Sequence, residues 1–331
     1  MRKILYLVMC MMPLLLFSAC DVHEWPEKPE FVKLHLRLNY ETDMTEWKHQ
    51  YDGTSVIEQG FGQTYNNHRD YGKIRYIVRT YPISDKQRTV QNYTQEFVFI
   101  KDISGGYDHE VTLDLLPGNY NVMVWSDLVQ RSDDSYFYNS DNFAEIILHG
   151  NHKGNNDYCD AFCGKINVTL SADSDNQMVE TINISMKRPL AKFEIVANDL
   201  LEFLEVKAMD INLYKAKIQY IGFMPNAYSL FADRPVTSIT GEIFESSLNK
   251  LTDTEVSMGF DYVFVSDKGT TITVKVGIYD NKDQLISLSD PITIPVRPDY
   301  YTRLIGKFLM QNTTNGIDID TRYGGDYNII L

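Results

Sequence analysis

Apolar and polar residues alternate strictly near the start of the folded part of the chain. In Val32-Lys33-Leu34-His35-Leu36-Arg37-Leu38-Asn39 every even position is apolar and every odd one polar. A period of two puts successive side chains on opposite faces, so the segment predicts a half-buried β-strand. Similar alternation, or β-rich runs, recur at Lys73–Tyr81, Thr94–Ile100, Glu110–Leu115, Tyr120–Trp125, Ala144–Leu148, Lys165–Leu170 and Thr181–Met186. Clusters such as Ser104-Gly105-Gly106 and Pro117-Gly118-Asn119 separate them and supply turn conformations. A second set follows Lys187-Arg188-Pro189: Leu190–Ala197, Ile211–Phe223, Glu255–Val265, Thr270–Tyr279, Gln284–Ser289, Ile292–Val296 and Arg303–Leu309. Ser266-Asp267-Lys268-Gly269 and Asp280-Asn281-Lys282-Asp283 read as hairpin turns within it. One short helix is predicted over Asp199–Ala208, with Asp199 as its cap and Leu200, Leu201 and Leu204 sharing a face. Short strands at regular spacing predict an all-β protein of two tandem β-sandwich domains, residues 31–187 and 188–331.

The first thirty residues follow a different pattern. Arg2-Lys3 precede an apolar run from Ile4 to Phe17, and Leu16-Phe17-Ser18-Ala19-Cys20 places small residues before a cysteine. The run is shorter than the roughly 20 residues of a bilayer span and ends like a cleavage site. Residues 1–19 are therefore expected to be a lipoprotein signal peptide. Cys20 is expected to be the lipidated first residue of the mature chain, held to the outer membrane by two or more acyl chains. Residues 20–30, with Pro26 and Pro29 among acidic residues, read as a tether.

Charge and cysteine usage narrow the function. The net charge of −14 falls to −16 once Arg2 and Lys3 leave with the signal, and this excludes nucleic acid as a partner. With Cys10 in the signal and Cys20 lipidated, only Cys159 and Cys163 of the four cysteines remain. In an exported protein they could form a disulfide across a C-x3-C loop or stand as two free thiols. A metal would need two further soft ligands, for which His149 and His152 are at hand, and no metal site is assigned.

Catalytic patterns are absent: there is no H-E-x-x-H, G-x-S-x-G, G-x-G-x-x-G or G-K-[ST]. Asp133-Asp134 and Asp173-Ser174-Asp175-Asn176 lack the spacing of a calcium loop and read as solvated turns. No cofactor is implied, and the chain is expected not to be an enzyme. Tyr65 beside Asn66-Asn67-His68, and Tyr136-Phe137-Tyr138, could form a carbohydrate platform, with packing as the plainer reading.

Five strings, in order, carry a resemblance. They are Leu116-Pro117-Gly118-Asn119-Tyr120-Asn121-Val122-Met123-Val124-Trp125, Asp160-Ala161-Phe162-Cys163-Gly164, Arg188-Pro189-Leu190-Ala191-Lys192, Phe223-Met224-Pro225-Asn226-Ala227-Tyr228 and Tyr301-Thr302-Arg303-Leu304-Ile305-Gly306-Lys307-Phe308-Leu309. Together with the lipoprotein box they resemble the fimbrillin superfamily of Bacteroidota, lipoproteins that build or accompany type V pili. The resemblance implies transthyretin-like, Greek-key sandwiches and a fimbrial anchor or accessory subunit at the cell surface, joined to other fimbrial subunits by β-strand addition, with a host or glycan ligand as a further partner. Arg37 could mark a protease site of a shaft subunit, although an outward arginine on an alternating strand accounts for it. The apolar end Tyr327-Asn328-Ile329-Ile330-Leu331 is expected to complete a sheet in this chain or in a neighbour. The alternative function is a surface glycan-binding lipoprotein of a polysaccharide-uptake system.

Overall fold

The computed structural model describes residues 31–66, 72–83, 93–103, 106–148, 154–171, 180–207 and 210–311. Cys20, His149, His152, the 173–176 turn and the 327–331 tail lie outside these residues. The strands of the first half are β1 (Val32–Tyr40), β2 (Asp43–Tyr51), β3 (Val56–Asn66), β4 (Lys73–Pro82), β5 (Gln95–Asp102), β6 (His109–Leu115), β7 (Gly118–Val129), β8 (Tyr138–Asn139), β9 (Ile146–Leu148), β10 (Ala161–Leu170) and β11 (Glu180–Met186). Those of the second half are β12 (Leu190–Ala197), β13 (Lys215–Tyr220), β14 (Met224–Ser229), β15 (Arg234–Ile239), β16 (Ile243–Ser247), β17 (Asn249–Lys250), β18 (Val256–Phe264), β19 (Thr270–Tyr279), β20 (Leu285–Leu288), β21 (Ile292–Val296) and β22 (Tyr300–Gly306). One α-helix, α1 (Leu200–Lys207), interrupts them.

The first sandwich packs the sheet β11-β1-β6 against β10-β7-β4-β5. Leu34, Leu36 and Leu38 of β1 have no exposed surface, as the alternation requires, and face Ile74, Tyr76, Val78, Val122 and Val124 of the opposite sheet. Each leucine buried this way contributes about 1.5–3 kcal/mol. At one side the sandwich closes where Cys163 and Lys187 exchange both backbone hydrogen bonds, joining β10 to the end of β11.

The second sandwich packs β17-β18-β12-β22-β2-β3 against β16-β13-β19-β20, with β21 also on β19. Its centre, β12, is buried along its whole length. Both predicted hairpin turns form. Gly269 sits at φ +73°, where a side chain would be strained and would meet the Val296 carbonyl. Asp280 accepts from the backbone N–H of Lys282 and Gln284.

Strand pairing crosses the expected 187/188 line twice. The hairpin β2–β3 leaves the first sandwich and joins the second, where β2 runs parallel to β22 from Thr45↔Tyr300 to Tyr51↔Gly306. Meanwhile β14 pairs with β9, building a fifth sheet, β15-β14-β9-β8, from both halves. A third apolar cluster fills the space between these parts. It joins Ile77, Met123 and Trp125 on the outer face of the β4–β7 sheet to Leu190, Tyr228, Tyr262 and Phe264. Segment β2 escapes a period-two reading for a structural reason. The register break between Thr45 and Trp47 shifts the buried set from Met44 to Trp47, His49 and Tyr51.

The helix forms where expected but not with the expected face: Leu200 and Phe203 are buried while Leu201 is exposed. The carboxylate of Asp199 accepts from the backbone N–H groups of Phe308, Leu309 and Met310, so it fastens the chain after β22.

The crossing from one sandwich to the other is held by Arg188. Buried with its partner, it donates from Nε to both oxygens of Asp160 at 2.8 and 3.0 Å, and from its terminal nitrogens to the carbonyls of Glu41 and Thr42, the link between β1 and β2. Burial works against its charge, but the Asp160 carboxylate outweighs that and holds its pKa above the ordinary arginine value. Removing one member strands a buried charge, at a cost of about 3–5 kcal/mol. Arg188→Ala is therefore expected to lower unfolding stability by that amount and to loosen β2–β3, read by urea unfolding and by amide exchange at residues 43–51.

Candidate functional site

Most sequence-flagged residues resolve into structural roles. Arg37 and Glu110 face each other in register on β1 and β6 and form an exposed ion pair at 2.7 Å. His35 meets Thr112 on the same outer face at 2.9 Å. Asp134 pairs with Lys73, Asp133 accepts from the backbone of Ser135, and among the described residues no group of three His, Cys, Asp or Glu could hold a metal. Tyr136-Phe137-Tyr138 does not form a platform. Tyr138 is buried with its hydroxyl on the Cys159 carbonyl, and Tyr136 lies beneath the Arg75 guanidinium at 3.5 Å. Arg75 is itself clamped bidentately by buried Asp127 at 2.8 and 2.6 Å.

Cys159 and Cys163 are both buried free thiols in the third cluster. Burial pushes Cys159 well above its ordinary pKa and Cys163 up to about 12. Such thiols carry almost no thiolate at neutral pH and are poor nucleophiles.

Tyr65, by contrast, reaches a cleft of about 390 Å³ on the outer face of the six-stranded sheet. Odd positions of β12 face the second core, so Lys192 and Glu194 emerge on the opposite face. Lys192 pairs with Asp157 at 2.6 Å and sits over the ring of Phe260 at 4.1 Å, with Tyr65, Tyr262 and Tyr301 around it at 5.1, 5.1 and 5.4 Å. Glu194 accepts from Ser257 at 2.5 Å, from the Tyr301 hydroxyl and from Arg303 Nε at 3.1 Å. Arg303 reaches on to Glu46 at 3.0 Å. Burial, reinforced by the Glu194 carboxylate, drives the Tyr301 hydroxyl far above its usual pKa, so it stays protonated and donates. Lys192 and Arg303 belong to strings singled out in the sequence; β3, which brings Tyr65 over them, gave no periodic signal.

The sheet edges form the other candidate surface. Strand β5 pairs with β4 over eight unbroken residue pairs, Lys73↔Asp102 to Thr80↔Gln95. Phe97 and Phe99 turn toward the first core, while Val98 and Ile100 point outward, 56% and 49% exposed. Among the described residues no strand pairs with the far side of β5. The edges at β6, β3 and β15 are blunted in ways that discourage pairing. Outward positions of β6 are Glu110, Thr112 and Asp114, β3 is broken by bulges and by Gly60 and Gly62, and β15 carries Pro235 and pairs irregularly.

A family model described as "Family of unknown function (DUF6562)" matches residues 29–331. The chain belongs to this family. No curated protein matches the sequence. Solved structures similar to this DUF6562 chain include the fimbrial anchor protein Mfa2 from Porphyromonas gingivalis, at 12% identity and a TM-score of 0.39 over 78% of this chain and 82% of that one. A fimbrial assembly protein from Parabacteroides distasonis aligns at 12% identity and a TM-score of 0.38, over 85% and 92% of the two chains.

The thiols of this DUF6562 protein provide a direct check. Native protein is expected to release almost no colour with Ellman's reagent near pH 8, and both Cys159 and Cys163 are expected to react in denaturant without reductant. A reading of zero after denaturation would mean that they are bonded to each other.

Proposed function

We propose that this protein is a non-enzymatic, lipid-anchored cell-surface subunit of a fimbrial assembly, an anchor or accessory component that receives a strand from a neighbouring subunit at β5. One observation carries the reading: β5 is an edge of eight unbroken pairs with Val98 and Ile100 exposed on its outer face, unlike the polar, bulged or proline-bearing edges of β6, β3 and β15. An unprotected flat edge is an aggregation hazard unless it has a partner, and an added strand would cover Val98 and Ile100 while hydrogen-bonding along the β5 backbone. The fimbrillin-type strings and the lipoprotein box at Cys20 support the location and the class of partner. A lipidated Cys20 would put the fold a short tether from the outer membrane, and the acidic surface would limit indiscriminate adhesion there.

Affinity isolation of the tagged protein from its own envelope tests this. It is expected to recover other β-rich fimbrial subunits, and prior protease shaving of intact cells is expected to remove the protein. The double substitution Val98→Lys and Ile100→Lys should abolish that recovery while shifting stability by no more than about 0.5 kcal/mol per site, as befits exposed positions. Undiminished recovery with the double variant would remove β5 as the joining edge. Cys20→Ser should release the protein from membranes, read by fractionation and by loss of palmitate label.

A further inference from the structure

The cleft over β12 is separate from the β5 edge, and stability does not account for it. Burying ions costs several kcal/mol each, and well-packed apolar residues in their place are commonly as stable or more so. Here the pair Lys192–Asp157 and the triad Glu46–Arg303–Glu194 line one cavity, where an apolar filling would have closed it.

We propose that this cleft binds a neutral saccharide unit of a glycan. Three properties select that chemistry. The volume of about 390 Å³ lies at the small end of the range for small-molecule sites, about 300–1,000 Å³, and suits a sugar ring or two better than a peptide segment. The walls offer flat apolar faces, Tyr65 tilted against Tyr301 with centroids 4.7 Å apart and Phe260 nearby, and such faces pack on the C–H surface of a pyranose. At the mouth, Arg303 and Glu46 hold each other at 3.0 Å with 18% and 14% of their side chains exposed, a fixed donor beside a fixed acceptor, the arrangement that adjacent hydroxyls satisfy.

Charge excludes the other ligands. The lining carries three carboxylates, Glu46, Asp157 and Glu194, against two cations, so an anion would enter against the local field as well as against the net charge of the chain. A cationic ligand at the aromatic faces would meet the ammonium of Lys192, 4.1 Å from the Phe260 ring and 5.1 Å from that of Tyr65, and be repelled by it. An uncharged polyhydroxyl ligand needs no displacement of any ion pair.

The test applies the purified mature protein to an array of neutral and sialylated oligosaccharides, followed by titration of the best neutral binder. Saturable binding to neutral glycans is expected, weakened about tenfold by Tyr65→Ala and retained by Tyr65→Phe, with both variants still folded and melting cooperatively. Tyr65 lies on an edge strand, and Gln63→Ala on the same strand offers a second variant, expected to weaken binding by a smaller factor. Retention of no neutral glycan, preference for sialylated ones, or equal binding by wild type and a folded Tyr65→Ala variant would each overturn the proposal. Because the assay contains no other subunit, its outcome is independent of whether β5 joins a partner.

Discussion

The buried pair of Arg188 and Asp160 is the constraint around which the two sandwiches are arranged. Asp160 stands just before β10 of the first sandwich, Arg188 just before β12 of the second, and the same guanidinium holds the carbonyls of Glu41 and Thr42 where the chain passes from β1 to β2. Three separate passages between the halves therefore meet at one cation. Buried charge pairs are weak sources of stability but strict geometric devices, because a misplaced partner leaves a charge in a low-dielectric interior. Once the crossing is fixed, β2 can lie only beside β22, and the outer face of β4–β7 comes to rest against Tyr228, Tyr262 and Phe264.

Covering that outer face has a further consequence. The sheet β10-β7-β4-β5 is buried on both faces at its centre, with Trp125 and Met123 on one side and Val122 and Val124 on the other. The cover stops short of β5, leaving Val98 and Ile100 exposed beside a continuous backbone edge. The site proposed for assembly and the core that joins the two halves are thus two parts of one sheet. The cleft follows from the same join, since β2–β3 must cross into the second sandwich before Tyr65 can reach Lys192.

How much of this was legible in the sequence depended on which force sets each element. Strands with one wet face announced themselves: β1, β19 and β21 lie where alternation placed them. Lys192 was visible only within a family-like string, and Glu194 not at all, because β12 is buried on both faces, so its polar residues signal ion pairs instead of a solvent face. Bulges erased the period of β2, while prolines 225 and 235 obscured β14 and β15. The expected division at 187/188 rested on local pattern, whereas the third core depends on contacts between β9 and β14 and among Trp125, Tyr138 and Phe264, separations of chain that no local pattern encodes. Of the aromatic candidates, Tyr65 reached a cavity and Tyr138 a core; only the topology distinguishes them.

The central claim, that β5 is where another subunit joins, is tested most directly by placing a photo-crosslinking amino acid at position 98 and irradiating intact cells. The account predicts a specific adduct to an extended segment of another surface subunit, mapped by mass spectrometry, and none from a probe at exposed position 236 on the irregular edge strand β15. Adducts confined to this chain itself, or equal yields from both positions, would contradict it.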